Sequence, residues 1–476
     1  MVFASPIFLA LFLPATIVFY FLAPRAWRNG ALMAASLAFY AWGEAAYVPL
    51  VLASVLANWA LGLAIDRAPA GRARKARLAV AVAANLSVLA AFKYANFAVD
   101  NANAALAAFG LATIALAPVP LPLGISFFTF HAISYVVDVY KRNASACRRL
   151  PDFALYILAF PQLIAGPIIR WRDIAAQLAS RTERLADFAY GARRFALGLG
   201  KKVLIANPLG EVADRVFALG GGELTTPLAW LGLVCYTLQI YFDFSGYSDM
   251  AIGLMRMFGF RILENFNYPY VSRSVREFWR RWHISLSNWF RDYLYIPLGG
   301  NRGGAIRAYR NLAIVFLLCG LWHGASWPFV LWGAWHGAFL IAERAGLDRL
   351  LGRIGPLAHA YALLAAMGGW VLFRCETLGK AGTFYAALAG HGAAVAPLPP
   401  AAILDPFVLT VLAVAIVGAM PVARVARDVR DALAARGGMA RALALGADLA
   451  WLATVFGLAA AFLAAGTYNP FIYFRF

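Results

Sequence analysis

Apolar runs of roughly 17 to 25 residues recur along the whole chain, each long enough to cross the hydrocarbon core of a bilayer as one helix. They fall at Phe3–Ala23, Tyr47–Ile65, Leu78–Phe97, Pro227–Phe242 with a continuation to Phe258, Ser326–Ala342, Leu357–Phe373, Phe407–Val422 and Leu449–Ala465. Backbone amides cannot go unpaired in lipid, so runs of this length predict helices. The pattern predicts an all-α, polytopic integral membrane protein with about 10–12 membrane-embedded helices, counting short ones that do not cross fully. No low-complexity tract, long linker or internal repeat divides the pattern, so residues 1–476 read as a single domain. The missing repeat counts against transporter folds assembled from paired halves.

Composition agrees: 62% of residues are hydrophobic and 14% charged, against about 25% charged in a soluble domain. The net charge of +19, from 42 Lys and Arg against 23 Asp and Glu, would suggest nucleic acid in a soluble protein. Here the basic residues sit between apolar spans, as expected of loops facing the cytoplasm and anionic membrane lipids, and no nucleic-acid partner is implied. Phe3–Ala23 has no basic residue before it and Arg25 and Arg28 after it, which reads as an uncleaved anchor with the N-terminus outside. Cys147, Cys235, Cys319 and Cys375 are scattered, so neither a disulfide framework nor a metal site is indicated.

The positive-inside rule gives an orientation. Arg25 and Arg28, and the cluster Arg67, Arg72, Arg74, Lys75 and Arg77, are both cytoplasmic, so Ala31–Trp42 and Tyr47–Ile65 must form a hairpin between them. Leu78–Phe97 then exits, and Leu123–Tyr140 returns to Lys141, Arg142, Arg148 and Arg149. Phe153–Ile169 breaks the alternation. It is apolar, carries Pro161 and Gly166-Pro167, and has basic residues on both sides. The expectation is a segment that goes in and turns back, which is tolerated only inside protein or along a cavity.

Asn311–Trp322 is twelve residues of apolar helix after Arg310, about 18 Å against a core of ~30 Å. His323 therefore falls near the middle of the membrane. Gly324 follows, with Ser326 as a plausible N-cap and Pro328 in the first turn of a new helix. An apolar setting and an adjacent helix N-terminus favour an uncharged imidazole, the form that accepts a proton, and free N–H groups there suit an oxyanion. Titratable residues at membrane depth are functional candidates because burying them is costly. His336 lies in regular helix and reads as packing; His131, His359 and His391 have no such setting. Cys319, one turn before His323, is either a partner in an acyl relay or a buried small hydrophobe.

Ser274–Tyr293 reads as one amphipathic helix. Phe278, Trp282, Leu286, Trp289 and Phe290 recur on one side, and Arg276, Arg280, His283, Ser287 and Arg291 on the other. That basic face either meets lipid phosphates at the interface or also receives an anionic donor, for which arginine's planar fork is suited. Asp243 and Asp249 lie in an apolar run where acids are expensive; they orient a histidine or form structural ion pairs.

Together, several stretches resemble the membrane-bound O-acyltransferase (MBOAT) family, of the bacterial alginate O-acetyltransferase type. They are Pro122–Phe130 (PLGISFFTF), Phe160–Pro167 (FPQLIAGP), Gln239–Asp249 (QIYFDFSGYSD), Glu277–Ser287 (EFWRRWHISLS), Trp289–Gly300 (WFRDYLYIPLGG) and Leu321–Ser326 (LWHGAS), with a similar ending at Asn469–Tyr473. The resemblance implies helices around a central catalytic cavity, and re-entrant and interfacial helices beside it. It makes His323 the catalytic histidine and His283 the second characteristic polar position. Arg276, Arg280, Asp243 and Ser287 are the accompanying candidates for donor or substrate binding. It also implies acetyl-CoA or another acyl thioester as donor substrate with no permanently bound cofactor, and a bacterial inner-membrane location. The resemblance implies a polysaccharide as acceptor, reached directly or through a periplasmic or membrane-anchored acetyltransferase partner. The rival readings are D-alanyl transfer to teichoic acid, a polysaccharide or lipid-carrier transporter, and a non-catalytic scaffold.

Overall fold

A computed structural model describes residues 2–395 and 403–470, and every regular element among the described residues is a helix. The fold separates into two compact units, Met1–Ala189 with Leu254–Leu263, and Tyr190–Gly253 with Glu264–Phe476.

The first unit contains α1 (Leu13–Leu22), α2 (Arg28–Glu44), α3 (Val48–Arg67), α4 (Arg72–Ala108), α5 (Ile125–Tyr140), α6 (Leu150–Leu158), α7 (Phe160–Leu163) and α8 (Trp171–Ala179). Arg25–Arg67 is a helical stretch of 43 residues, roughly 65 Å and twice the bilayer core. It is interrupted at Glu44 (φ −137°, ψ 40°) and the 3-10 turn Ala45–Tyr47, between the two runs expected to form a hairpin. α4 runs for 37 residues, about 55 Å. It begins six residues before the expected Leu78, so that Arg72, Lys75 and Arg77 lie beyond the apolar run.

The segment expected to turn back inside the protein is made of α6 and α7, nine and four residues long. Every residue from Asp152 to Ile169 is buried. Its irregular end is satisfied by side chains, as the interior requires. The Ile169 N–H donates to His131 Nε2 (3.3 Å), and the Tyr156 hydroxyl donates to the Ile169 carbonyl (2.9 Å). His131, given no role above, therefore serves as a backbone acceptor.

The second unit contains most of α9 (Leu185–Gly200), α10 (Asn207–Phe217), most of α11 (Thr226–Met257), α12 (Val275–Arg281), α13 (Ile284–Phe290), α14 (Ala305–His323), α15 (Trp327–Ala342), α16 (Asp348–Leu351), α17 (Leu357–Arg374), α18 (Leu378–Ala386), α19 (Pro406–Gly418), α20 (Val422–Ala435) and α21 (Gly438–Ala464). Five helical stretches among the described residues are long and apolar enough to span a membrane, or six if the pair α19–α20, bent by 72°, is one span. The expectation of about 10–12 embedded helices counted short ones as well, and α5 and α15 are of that kind, at 16 residues each. Of the Asn469–Tyr473 ending, residues 471–473 lie outside the described residues.

α14 and α15 form a tight hairpin, because two glycines let the backbones touch. A methyl on Gly320 would overlap the Phe329 carbonyl oxygen, and one on Gly333 the Phe316 carbonyl oxygen. Gly333→Ala is therefore expected to destabilise the protein by about 1–3 kcal/mol, the usual penalty of overpacking. Thermal unfolding in detergent measures this, with Gly446→Ala in α21 as control. A methyl at Gly446 meets no atom within 4 Å, and a helix-interior glycine gains from alanine.

Candidate active site

His323 is the last residue of α14 and only 7% exposed. α14 begins earlier than the apolar run suggested and is 19 residues long; counted from Arg310, its last charge, His323 lies about 20 Å along the axis. The imidazole stands edge-on among Trp322 (4.8 Å between ring centroids), Trp332 (4.9 Å) and Phe373 (5.2 Å). Ser326 occupies the N-cap position of α15 with extended backbone, but its hydroxyl does not cap, and Pro328 sits in the first turn. The residue therefore stands at the tip of a hairpin, with the carbonyl end of α14 beneath it and the amide end of α15 following. A carbonyl end favours a cation and an amide end an anion. That pairing suits a base that becomes protonated while an oxyanion forms.

The single amphipathic helix expected over Ser274–Tyr293 is corrected: it is two seven-residue helices, α12 and α13, broken at Trp282–His283. His283 has left-handed backbone (φ 43°, ψ 53°), a conformation uncommon outside glycine that concentrates at functional positions. It turns the imidazole off the arginine face into the interior, where it is fully buried. Asn265 holds the break. Its side-chain carbonyl accepts from the Ser285 N–H (3.1 Å) and hydroxyl (2.9 Å), and its backbone carbonyl accepts from the Ile284 N–H (3.0 Å). His283 Nδ1 is 3.2 Å from the same Asn265 side-chain oxygen. An amide oxygen only accepts, so Nδ1 carries the proton. Nε2 is then the bare nitrogen, and it has no hydrogen-bond partner among the described residues. Residues 264–304 contain no membrane-spanning helix. Burial pushes the His283 imidazole down to about 3, so it is neutral at working pH. The ring of Trp322 neighbours both histidines, 6.3 Å from His283 and 4.8 Å from His323.

The other candidates are dispersed. Arg276 is exposed and ion-paired with Asp348, and Arg280 is exposed. The Ser287 hydroxyl donates to the Trp279 carbonyl across the break (3.1 Å). Asp243 is buried against Lys202 (2.7 Å), and Asp249 pairs with Arg194 (2.8 Å) and Lys201 (2.6 Å). Both acids are thus in structural ion pairs. Cys319 is buried in α14. His336 packs between Trp279 (5.2 Å) and Trp332 (5.1 Å). Asn265 and Lys202 carry no local sequence signal beyond being polar in aromatic or apolar runs.

The profile of the membrane-bound O-acyltransferase family matches residues 121–350. The protein named "Probable alginate O-acetylase AlgI" in Azotobacter vinelandii is 49% identical over 394 residues, 82% of this chain and 79% of that one. The chain belongs to the membrane-bound O-acyltransferase family. The peptidoglycan O-acetyltransferase of Helicobacter pylori is 37% identical over 421 residues, 80% of this chain and 78% of that one. The teichoic acid D-alanyltransferase of Bacillus subtilis is 32% identical over 223 residues, 43% and 54% of the two chains. As an MBOAT protein the chain is a multi-pass membrane acyltransferase, and the transporter and scaffold readings give way. The six candidate residues and Asn265 all lie inside the matched span.

Proposed function

We propose that this acyltransferase is a single catalytic domain over residues 1–476 in a bacterial inner membrane. It takes an acetyl group from a cytoplasmic thioester, acetyl-CoA or an equivalent, for O-acetylation of an exported polysaccharide. α9 and α11 each contribute residues to both compact units, which supports treating the chain as one domain. The relatives named for alginate and peptidoglycan acetylation support the polysaccharide class. The observation that carries the site is His323, enclosed by aromatic rings at the tip of the α14–α15 hairpin.

In the proposed mechanism the thioester enters past His283, whose bare Nε2 accepts a hydrogen bond from an amide N–H of the donor's carrier arm. Arg280 and Arg276, exposed on α12, meet the donor's phosphates. His323 takes the proton from the attacking hydroxyl as that oxygen bonds to the thioester carbonyl carbon. The oxyanion faces the amide end of α15, and the imidazolium the carbonyl end of α14. The carbonyl re-forms, the C–S bond breaks, and the thiolate leaves with the proton held on His323. The acceptor hydroxyl belongs to the polymer or to a periplasmic partner acetyltransferase that passes the group on. Ser287 and Asp243 serve by shaping the α12–α13 break and the α11 packing.

The test is the O-acetyl content of exported polysaccharide from cells making wild type or His323→Ala at equal membrane level. Loss of acetyl ester with the polymer still exported is expected. Full acetylation with His323→Ala would overturn the assignment, and D-alanyl ester in place of acetyl would move the reading to teichoic acid.

A further inference from the structure

We infer that Glu343 is a positioning residue for acyl transfer, fixing α12 and through it the His283 imidazole; this rests on the reading of His283 as part of the site. Glu343 is 1% exposed and lies where α15 passes into the π-helical turn Glu343–Leu347. Its carboxylate accepts three hydrogen bonds. The Val275 N–H donates at 2.6 Å, the Arg276 N–H at 3.0 Å and the Tyr361 hydroxyl at 3.1 Å. Val275 and Arg276 open α12, and amides in a first turn have no acceptor within their own helix. A carboxylate placed on them complements both the open donors and the helix dipole.

The anchoring is reinforced on both sides. Ser274 caps α12 by accepting from the Glu277 N–H (3.0 Å). Beyond Glu343, Gly346 takes a positive φ of 136° that bends the chain, and Asp348 pairs with the Arg276 side chain. Glu343 thus ties together α12, α15 and, through Tyr361, α17. α15 begins four residues after His323, and α17 supplies Phe373 against the His323 ring. α12 has only seven residues before the break at Trp282–His283. Any tilt at its start therefore carries His283 with it. A carboxylate buried to this degree is costly unless fully hydrogen-bonded, and the three donors meet that need. None of its partners is a reacting atom, which makes its role positional.

The test uses full-length Glu343→Ala, Glu343→Gln and Tyr361→Phe in detergent. The readouts are hydrogen–deuterium exchange over residues 275–283 and kcat and KM with acetyl-CoA as donor. In Glu343→Ala, exchange at Val275 and Arg276 is expected to rise about 10-fold or more while the α14–α15 hairpin keeps wild-type protection. Donor KM should rise about 10-fold or more and kcat should fall, because the thioester is proposed to bind beside the displaced His283 and α12 arginines. Glu343→Gln keeps one carbonyl acceptor but sets an NH2 against the other amide, so it should recover only part of both; Tyr361→Phe should show a small effect on each. Should Glu343→Ala fail to accumulate, Glu343→Asp, with its carboxylate drawn back by one methylene, carries the same readouts. Wild-type exchange at 275 and 276 would overturn the inference, and so would raised exchange with both kcat and donor KM unchanged. The exchange result does not depend on which reaction the site performs, so failure of the anchor and failure of the proposed chemistry are told apart.

Discussion

His323→Ala is expected to lower kcat for acyl transfer by about 10²–10⁴-fold, the usual contribution of a positioned general acid–base group. The donor KM should change little, because the thioester is proposed to bind beside His283 and the α12 arginines. The imidazole is held by three aromatic rings and is only 7% exposed, so a solvent base has little access to take its place. The helix ends around it are oriented for the charges of the transition state, so a substitute must match position as well as basicity. Cys319→Ser separates general-base catalysis from a relay through an acyl-cysteine: near-wild-type kcat is expected. A variant lacking Cys319 that loses activity as completely as His323→Ala would restore the relay. Steady-state kinetics on purified protein, at matched folded content, reads both.

Asp243→Leu is expected to have the largest effect on stability. Lys202 and Asp243 are both almost fully buried and 2.7 Å apart, and Lys202 also donates to the Pro470 carbonyl. Removing one member of a buried pair leaves an uncompensated charge and costs about 3–5 kcal/mol. Replacing both with apolar groups of similar volume is often close to neutral. Asp243→Leu should therefore lower the melting temperature sharply and reduce membrane accumulation, while Lys202→Met with Asp243→Leu recovers much of the loss. If Asp243→Leu folds normally and loses only kcat, Asp243 belongs to the chemistry and not to the packing of α11.

The features legible in the sequence are those whose causes are local. Apolar runs announce embedded helices, and the Gly324–Pro328 stretch announces the end of α14 and the start of α15 around His323. Two prolines and a glycine announce the short helices at Leu150–Leu163. The break between α12 and α13 was not legible. Nothing in Trp279–Phe290 is glycine or proline, and its hydrophobic positions keep helical spacing across Trp282 and His283. What interrupts it is Asn265, eighteen positions before His283, whose carbonyl oxygens bind the amides and side chains of residues 283–285. The anchor of α12 comes from further away still, since Glu343 is 68 positions beyond Val275. Asp243 finds its cation in Lys202 on the π-helical turn Lys201–Ala206. Periodicity reports which face of an element is apolar; it does not report a hydrogen bond supplied by a distant segment. That is why His283 was expected on the arginine face and is found in the interior.

The central claim is that this chain itself moves an acyl group, with His323 as base. The most direct measurement reconstitutes the purified protein in sealed vesicles, supplies acetyl-CoA labelled in the acetyl group, and follows labelled ester on an oligosaccharide acceptor. Thiol release is followed in parallel. Wild type is expected to release thiol and form ester in equal amounts, and His323→Ala to do neither above background. Equal ester formation by the two proteins would contradict the account.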